Sequence, residues 1–218
     1  LMTGTARYRK DLHEIDRNLS LLDALAIGSW QRELPRLYPS EADRKKVDKL
    51  LIELEVGDPE KLVAIAPGTI WNTKRWLKER FASLAVNLDD AGLETVLIGG
   101  EDDKSLCSEI RTLSGSSRVY DTSGALSLLQ SVELIRRCKL LVCNDSAPMH
   151  FATAVGTPVL AIFGATVPSF GFGPTGPLDA VMEIQGLKCR PCSIHGGDKC
   201  PIKTFDCMNN ISHDSVFR

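Results

Sequence analysis

The feature that most constrains the fold is an alternation of short apolar runs and amphipathic segments, which begins near residue 61. This alternation predicts parallel strands joined by crossover helices. Because the central runs are almost wholly apolar, helices must cover both faces of the sheet. The predicted strands are Leu62–Ala66, Thr95–Ile98, a short one near Val119, Leu140–Cys143, Val159–Phe163 and Ala180–Ile184; the predicted helices are 77–91, 102–113, 126–138 and 148–155. The sequence therefore predicts an α/β fold with an open, doubly wound parallel sheet.

The first 58 residues carry a different, helical pattern. Leu12, Ile15, Leu19, Leu22 and Ala26 have the spacing of one helix face, and Gly28 ends that helix. A second helix follows, with a capping pair at Ser40 and Asp43, and Gly57-Asp58-Pro59 breaks the chain after it. We therefore divide the chain into a helical tail, 1–58, and a sheet domain, 59–218. Since the chain opens on Leu1 rather than Met, we expect it to be part of a longer protein.

Net charge, hydropathy and cysteine use limit the kinds of protein to which this chain can belong. The net charge of −2 gives no reason to expect a nucleic-acid partner, and no apolar run approaches the roughly 20 residues of a membrane-spanning helix. Seven cysteines without a secretory signal favour a reducing, cytoplasmic location, with peripheral contact at the inner membrane face left open. Cys107, Cys138 and Cys143 lie in or beside apolar segments, which is typical of packing. The other four crowd the C-terminal tail and could bind zinc, stay free or form adventitious disulfides: Cys189, Cys192, Cys200 and Cys207.

The turns after the strands carry the unusual residues. In doubly wound sheets, ligands bind beyond the carboxyl ends of the strands, so four turns should meet at one edge: 67–76, 99–103, 144–150 and 164–166. In the third of these turns, Pro148 fits the first helical position and Gly156 the position after the helix, and the free first-turn N–H groups would bind an anion. The alternative is that Asp145 or Ser146 caps the helix. Neither a Gly-x-Gly-x-x-Gly nor a P-loop sequence is present.

Together these turns resemble a known family. The segments Pro67-Gly68, Thr73–Trp76, Gly99-Gly100, Asn144–His150, Gly156–Pro158 and Gly164–Thr166 are similar, in order and spacing, to the donor-binding half of the family 9 glycosyltransferases, the ADP-heptose:lipopolysaccharide heptosyltransferases and their relatives. The resemblance covers about residues 61 to 207. It implies the Rossmann-like C-terminal half of a two-domain GT-B enzyme, preceded by the tail of the acceptor domain.

The resemblance also implies an inverting, metal-independent transfer. Its general base would be a carboxylate in a Gly-rich loop of the acceptor domain, and no segment here matches that loop, so the catalytic residue is expected outside this chain. The sequence departs from the family at Ala147, where Gly is usual. An added methyl group narrows the turn around the phosphate.

The turn sequences and the family resemblance together indicate which residues would bind the donor substrate. Lys74 matches the lysine of the family and would hold the diphosphate, and hydroxyl groups of Thr69 and Thr73 could donate to the same phosphates. Asp145 would orient the turn or accept a sugar hydroxyl. An anion cradle completes the predicted set, formed by Ser146, the Ala147 N–H and a neutral His150. The structural alternatives are a solvated Lys74, local turn bonds for the threonines and a packed His150.

For the nucleoside, the Gly99-Gly100 turn allows close approach. An acidic residue directly after this turn could accept hydrogen bonds from both ribose hydroxyls. We favour Glu101 for this role over Asp102 and Asp103. Met149 and Trp71 are candidates for the base or sugar pocket, with core packing as the alternative for Met149.

The sequence thus predicts a heptosyltransferase-like glycosyltransferase. The expected donor is ADP-heptose, and the expected acceptor is a lipid-linked saccharide of the lipopolysaccharide type. Two alternatives remain open: a non-catalytic module that binds nucleotide sugar, and a sugar-nucleotide epimerase with GT-B architecture.

Overall fold

A computed structural model describes residues 5–25 and 29–218. Its centre is a six-stranded sheet in the order β3-β2-β1-β4-β5-β6, with every neighbouring pair parallel. The strands are β1 (Leu62–Ala66), β2 (Glu94–Leu97), β3 (Val119–Asp121), β4 (Leu140–Asn144), β5 (Val159–Phe163) and β6 (Ala180–Glu183). The predicted open parallel sheet is confirmed, and its strand order reverses between β1 and β4, where doubly wound folds bind ligands.

Helices cover both faces of this sheet. Their bounds are α1 (Glu14–Ser20), α2 (Glu41–Glu53), α3 (Lys78–Asp90), α4 (Lys104–Ser114), α5 (Leu128–Arg137), α6 (Ala147–Val155), α7 (Asp206–Asn209) and α8 (His213–Phe217). One core cluster contains Phe81 of α3, Ile110 of α4 and Val216 of α8. The other contains Leu134 of α5 and Met149 of α6. Every residue of β1 is buried, as its wholly apolar sequence predicts.

The helical tail differs in part from its prediction. The first helix is only seven residues long and passes into a 3-10 turn at Leu21–Leu25, while Ala26 and Gly28 lie outside the described residues. The second helix has the predicted capping box, in which the Ser40 hydroxyl accepts from the Asp43 N–H at 3.2 Å. Val47 and Leu51 of this helix belong to the second core cluster. The 1–58 boundary stays a prediction, but α2 packs as part of the sheet domain.

Two short helices in the C-terminal tail were not predicted. These are α7 and α8, and α8 packs on α3, so that Ile211 and Val216 join the first core cluster. Neither helix is long enough to show an amphipathic period, and the Gly, Pro and Cys residues of the tail are typical of loops.

Candidate functional site

A cavity of about 970 Å³ lies at the carboxyl ends of the central strands. Residues of all four predicted turns line it, together with α5 and two segments nearer the C-terminus. The predicted residues among them are Thr69, Trp71, Lys74, Gly99, Gly100, Asp145, Ser146, Ala147 and His150. The cavity therefore opens where the strand order reverses, beside β1 and β4.

Asn144 joins the turns after β1 and β4. Its side chain is fully buried; its Oδ1 accepts from the Trp76 N–H at 3.0 Å, and its Nδ2 donates to the Pro67 carbonyl at 2.8 Å. Both bonds tie the ends of the first turn to the last residue of β4. The β1 turn is thereby held over the cavity, which brings Lys74 toward the start of α6.

Lys74 and Asp145 form the most enclosed ion pair of the site. The Lys74 Nζ lies 2.7 Å from the Asp145 Oδ2, and each side chain is about one-eighth exposed, at 13% and 12%. The Thr166 hydroxyl donates to the same Oδ2 at 2.7 Å, so residues from three turns meet at one carboxylate oxygen. An ammonium group held so close to the cavity is a suitable partner for an anionic ligand.

The N-terminus of α6 faces the same cavity. Ser146 is its N-cap residue, and its hydroxyl donates to the Asn144 carbonyl at 3.3 Å. Within the part of the chain that the structure describes, the Ser146 side chain does not accept a first-turn N–H, and the Asp145 carboxylate is committed to Lys74 and Thr166. The capping alternative is therefore not what the structure shows. The Met149 N–H donates to the Ser146 carbonyl at 3.2 Å and Pro148 has no N–H, which leaves the Ala147 N–H at the start of the helix to meet an anion.

His150 lies at the rim of the cavity with an exposed surface. Desolvation of the ring by the surrounding walls lowers the pKa of His150, although the charge of Asp145 acts in the opposite direction. A neutral imidazole is therefore favoured near pH 7, and desolvation of the ring is the leading cause of the lowered pKa.

Three predicted residues lie outside the cavity lining, and these are corrections to the predicted site. Thr73 is buried, and its hydroxyl accepts from the Gly197 N–H at 2.8 Å. Glu101 is exposed and pairs with Lys104 at 2.7 Å. Met149 is fully buried in the second core cluster, which confirms its packing alternative.

On the nucleoside side, Asp102 and Asp103 line the cavity where Glu101 was favoured. Asp103 Oδ2 accepts from the Gly100 N–H at 2.9 Å and thereby shapes the glycine turn. Asp102 is exposed at the cavity wall.

Several lining residues had no local sequence signal. They come from α5 and from loops far along the chain, and only the fold brings them to the cavity. They are Leu126, Leu128, Ser131, Phe170, Phe172, Ile194 and His195. The last two belong to the Cys-containing tail, which sequence analysis had set apart from the ligand site.

The seven cysteines, all within the described residues, are free thiols. Burial raises the pKa of Cys107 and of Cys138 to about 12, in keeping with their predicted packing role. Across residues 5–25 and 29–218, no group of three or more His, Cys, Asp or Glu side chains is arranged to hold a metal ion.

No helix in the same described ranges is both long enough and apolar enough to cross a membrane.

The family model of glycosyltransferase family 9 (heptosyltransferase) matches residues 3–203. The chain belongs to this family. Lipopolysaccharide heptosyltransferase 2 of Salmonella typhimurium is 31% identical over 168 residues, which cover 75% of this chain and 46% of that protein. The chain spans about half the length of the curated relatives it matches.

Solved structures share the fold. The family 9 glycosyl transferase of Veillonella parvula superposes with a TM-score of 0.81 at 24% identity, over 97% of this chain and 60% of that one. The E. coli ADP-heptose LPS heptosyltransferase II gives a TM-score of 0.77 at 22% identity, over 99% of this chain and 63% of that one. The glycosyltransferase fold that the resemblance implied is therefore confirmed.

Proposed function

We propose that this chain is the donor-binding half of an inverting heptosyltransferase. It would bind ADP-heptose and serve transfer of the heptose to a lipopolysaccharide-type, lipid-linked acceptor. The observation that carries the proposal is the Lys74–Asp145 pair beside the N-terminus of α6, inside a cavity at the reversal of strand order. Membership of family 9 and the ADP-heptose enzyme among the structural neighbours support the choice of donor.

The diphosphate is the part of the donor that this site suits best. When the bond to the anomeric carbon breaks, negative charge develops on the leaving diphosphate, and fixed donors lower the barrier by stabilising that charge. Lys74 would bind it as a cation, with the Ser146 hydroxyl and the Ala147 N–H beside it. Asp145 would direct the ammonium group and Thr69 would donate a hydroxyl. A neutral His150 could donate a further hydrogen bond without adding charge.

The nucleoside would lie over the turn after β2. Gly99 and Gly100 line the cavity there, and Asp102 would take the ribose role first given to Glu101. Leu126 and Leu128 line the same cavity and offer apolar contact to a base.

The remaining parts of the enzyme are proposals about the whole protein. Residues 1–58 would be the tail of an acceptor domain and linker, with α2 of this segment packed on the donor domain that residues 59–218 form. An N-terminal acceptor domain would supply the general base and bind the acceptor at the cytoplasmic face of the membrane. We propose that transfer needs no resident metal, since Lys74 and backbone amides can carry the leaving charge.

Two measurements on one preparation test the proposal. Calorimetric titration should show binding of ADP to this chain, and a transfer assay with ADP-heptose and a lipid-linked acceptor should show activity when the acceptor domain is present. ADP binding with no transfer, even by a longer protein that includes that domain, would support the non-catalytic binding module. Failure of ADP and other nucleoside diphosphates to bind would exclude both functions.

A further inference from the structure

The loop 193–198 of the Cys-containing tail lies directly on the turn that carries Lys74. It begins beside the end of β5, where the Cys192 N–H donates to the Ala165 carbonyl at 2.9 Å. Inside the loop, the Ser193 hydroxyl accepts from the Gly196 N–H and donates to the Gly196 carbonyl, each at 2.8 Å. These bonds give the loop a closed shape and place Ile194 and His195 on the cavity wall.

Thr73 fastens this loop to the β1 turn. The Thr73 N–H donates to the Gly197 carbonyl at 2.9 Å, and the Gly197 N–H donates back to the Thr73 hydroxyl at 2.8 Å. A third bond runs from the Asn72 Nδ2 to the Asp198 carbonyl at 3.1 Å. Thr73 is 3% exposed, so its hydroxyl serves the loop and not a ligand.

Gly196 brings the loop backbone against the aliphatic part of Lys74. A Cβ atom at this position would lie 3.0 Å from the Lys74 Cγ and Cδ atoms and 3.0 Å from the Trp71 Cβ. The residue also has a φ of +93°, which side chains rarely adopt. The lysine stem is therefore confined by Gly196 along its length and by Asp145 at its ammonium group, 2.7 Å away.

We propose that the 193–198 loop aims the Lys74 ammonium group into the cavity, with Thr73 and Gly196 as positioning residues. The inference rests on the proposed function, in which Lys74 binds the donor diphosphate. A free lysine side chain has many rotamers, and holding it in one of them before the ligand arrives lowers the entropy cost of binding. The Cys-containing tail thus becomes a wall of the donor site.

The first test is the affinity for ADP, measured by calorimetry. Gly196→Ala should displace the lysine stem and weaken ADP binding roughly two- to tenfold, the range expected for losing one pre-ordered long side chain. Gly186→Ala is the matched control: its φ of +78° is also one that side chains rarely adopt, but apart from its chain neighbours no heavy atom of the described residues lies within 4 Å of the added Cβ. It should bind ADP as the unsubstituted protein does.

The second test separates positioning from simple support of the fold. In a Lys74→Ala background, Gly196→Ala should cause no further loss of affinity for ADP, because the lysine stem is gone; a further loss would place the effect on Trp71, whose Cβ lies equally close to the added Cβ. Thr73→Val should weaken ADP binding and Thr73→Ser, which keeps the hydroxyl, should restore it. If Gly196→Ala does not fold, the two Thr73 variants still test whether the loop positions Lys74.

If Gly196→Ala lowers the affinity for ADP equally in the presence and in the absence of the Lys74 side chain, the inference is overturned. Normal ADP binding by a folded Gly196→Ala or Thr73→Val protein would also overturn it. Either result leaves the proposed function intact if Lys74→Ala alone weakens binding. No ADP binding by the unsubstituted protein would overturn both.

Discussion

Among single residues, Lys74 stands out because its ammonium group is already paired. Lys74 is held by Asp145, which also accepts from Thr166, so the ammonium group stands in a fixed place before any ligand enters. A diphosphate at the start of α6 would share this cation rather than recruit it from solvent. The lysine should thus affect ligand affinity more than an exposed lysine does.

We expect Lys74→Ala to lower the affinity for ADP by about tenfold or more, as for the loss of a charge-assisted hydrogen bond. Calorimetric titration measures the change directly. Lys78→Ala is the control, because Lys78 lies outside the cavity lining and pairs with Glu109 on α4. Unchanged affinity in the Lys74 variant would remove this residue from the site.

His150 should make stability depend on pH. Burial lowers its pKa in the folded protein below the value of about 6.5 expected for an unfolded chain. As the pH falls through that value, the unfolded chain takes up a proton more readily than the folded protein, so folding stability is lost. We expect His150→Gln to lose less stability than the unsubstituted protein between pH about 7.5 and about 5.5. Urea unfolding at both pH values provides the comparison, and equal losses would contradict the assignment of a neutral His150.

At the scale of elements, the site depends on how turns are joined. Asn144 connects the end of β4 to both ends of the β1 turn, and its side chain is fully buried. Removing it leaves the Trp76 N–H and the Pro67 carbonyl without their partner in the protein interior.

Asn144→Ala should therefore destabilise the protein by about 1–3 kcal/mol for each group left unpaired. Urea denaturation gives the free energy of unfolding. Asn210→Ala, a substitution of an exposed asparagine after α7, is the control and should stay within about 0.5 kcal/mol of the unsubstituted protein. A similarly small change in the free energy of unfolding for Asn144→Ala would show that the Asn144 hydrogen bonds do not stabilise the protein.

The N-terminal segment supports another wall of the cavity. The buried Arg17 of α1 donates to the Phe170 carbonyl, and its guanidinium lies 5.7 Å from the centre of the Phe172 ring; both aromatic residues line the cavity. Arg17→Ala should speed amide hydrogen exchange in residues 168–173 and leave exchange in β1 and β4 unchanged. Arg9→Ala, at an exposed position, is the control. Protection of residues 168–173 that stays the same in Arg17→Ala would contradict this support.

Sequence patterns predicted the elements better than the side-chain directions. Apolar runs identified the buried strands, and the rule that ligands bind at strand ends brought Lys74 and Asp145 to one edge. The directions of Thr73, Glu101 and Met149 depend on Gly197, Lys104 and the core beneath α6. Gly197 is distant from Thr73 in sequence, so no local pattern could predict that bond, whereas Glu101 and Lys104 are three residues apart and form a local i,i+3 pair.

At the scale of the whole molecule, the reversal of strand order between β1 and β4 explains why one cavity collects residues from so many segments. Neighbouring crossovers leave the sheet in opposite directions there, which opens a crevice above the strand ends. The 193–198 loop contributes Ile194 and His195 to its walls, and Arg17 supports the wall that Phe170 and Phe172 form. The donor site is a property of the entire fold.

A crystal structure of the protein with ADP bound would show where the diphosphate lies. We expect the diphosphate within hydrogen-bond distance of the Lys74 Nζ and of the Ala147 N–H at the start of α6, with the nucleoside over the Gly99-Gly100 turn. An ordered ADP whose diphosphate lies away from both Lys74 and α6 would contradict a donor site at this edge of the sheet.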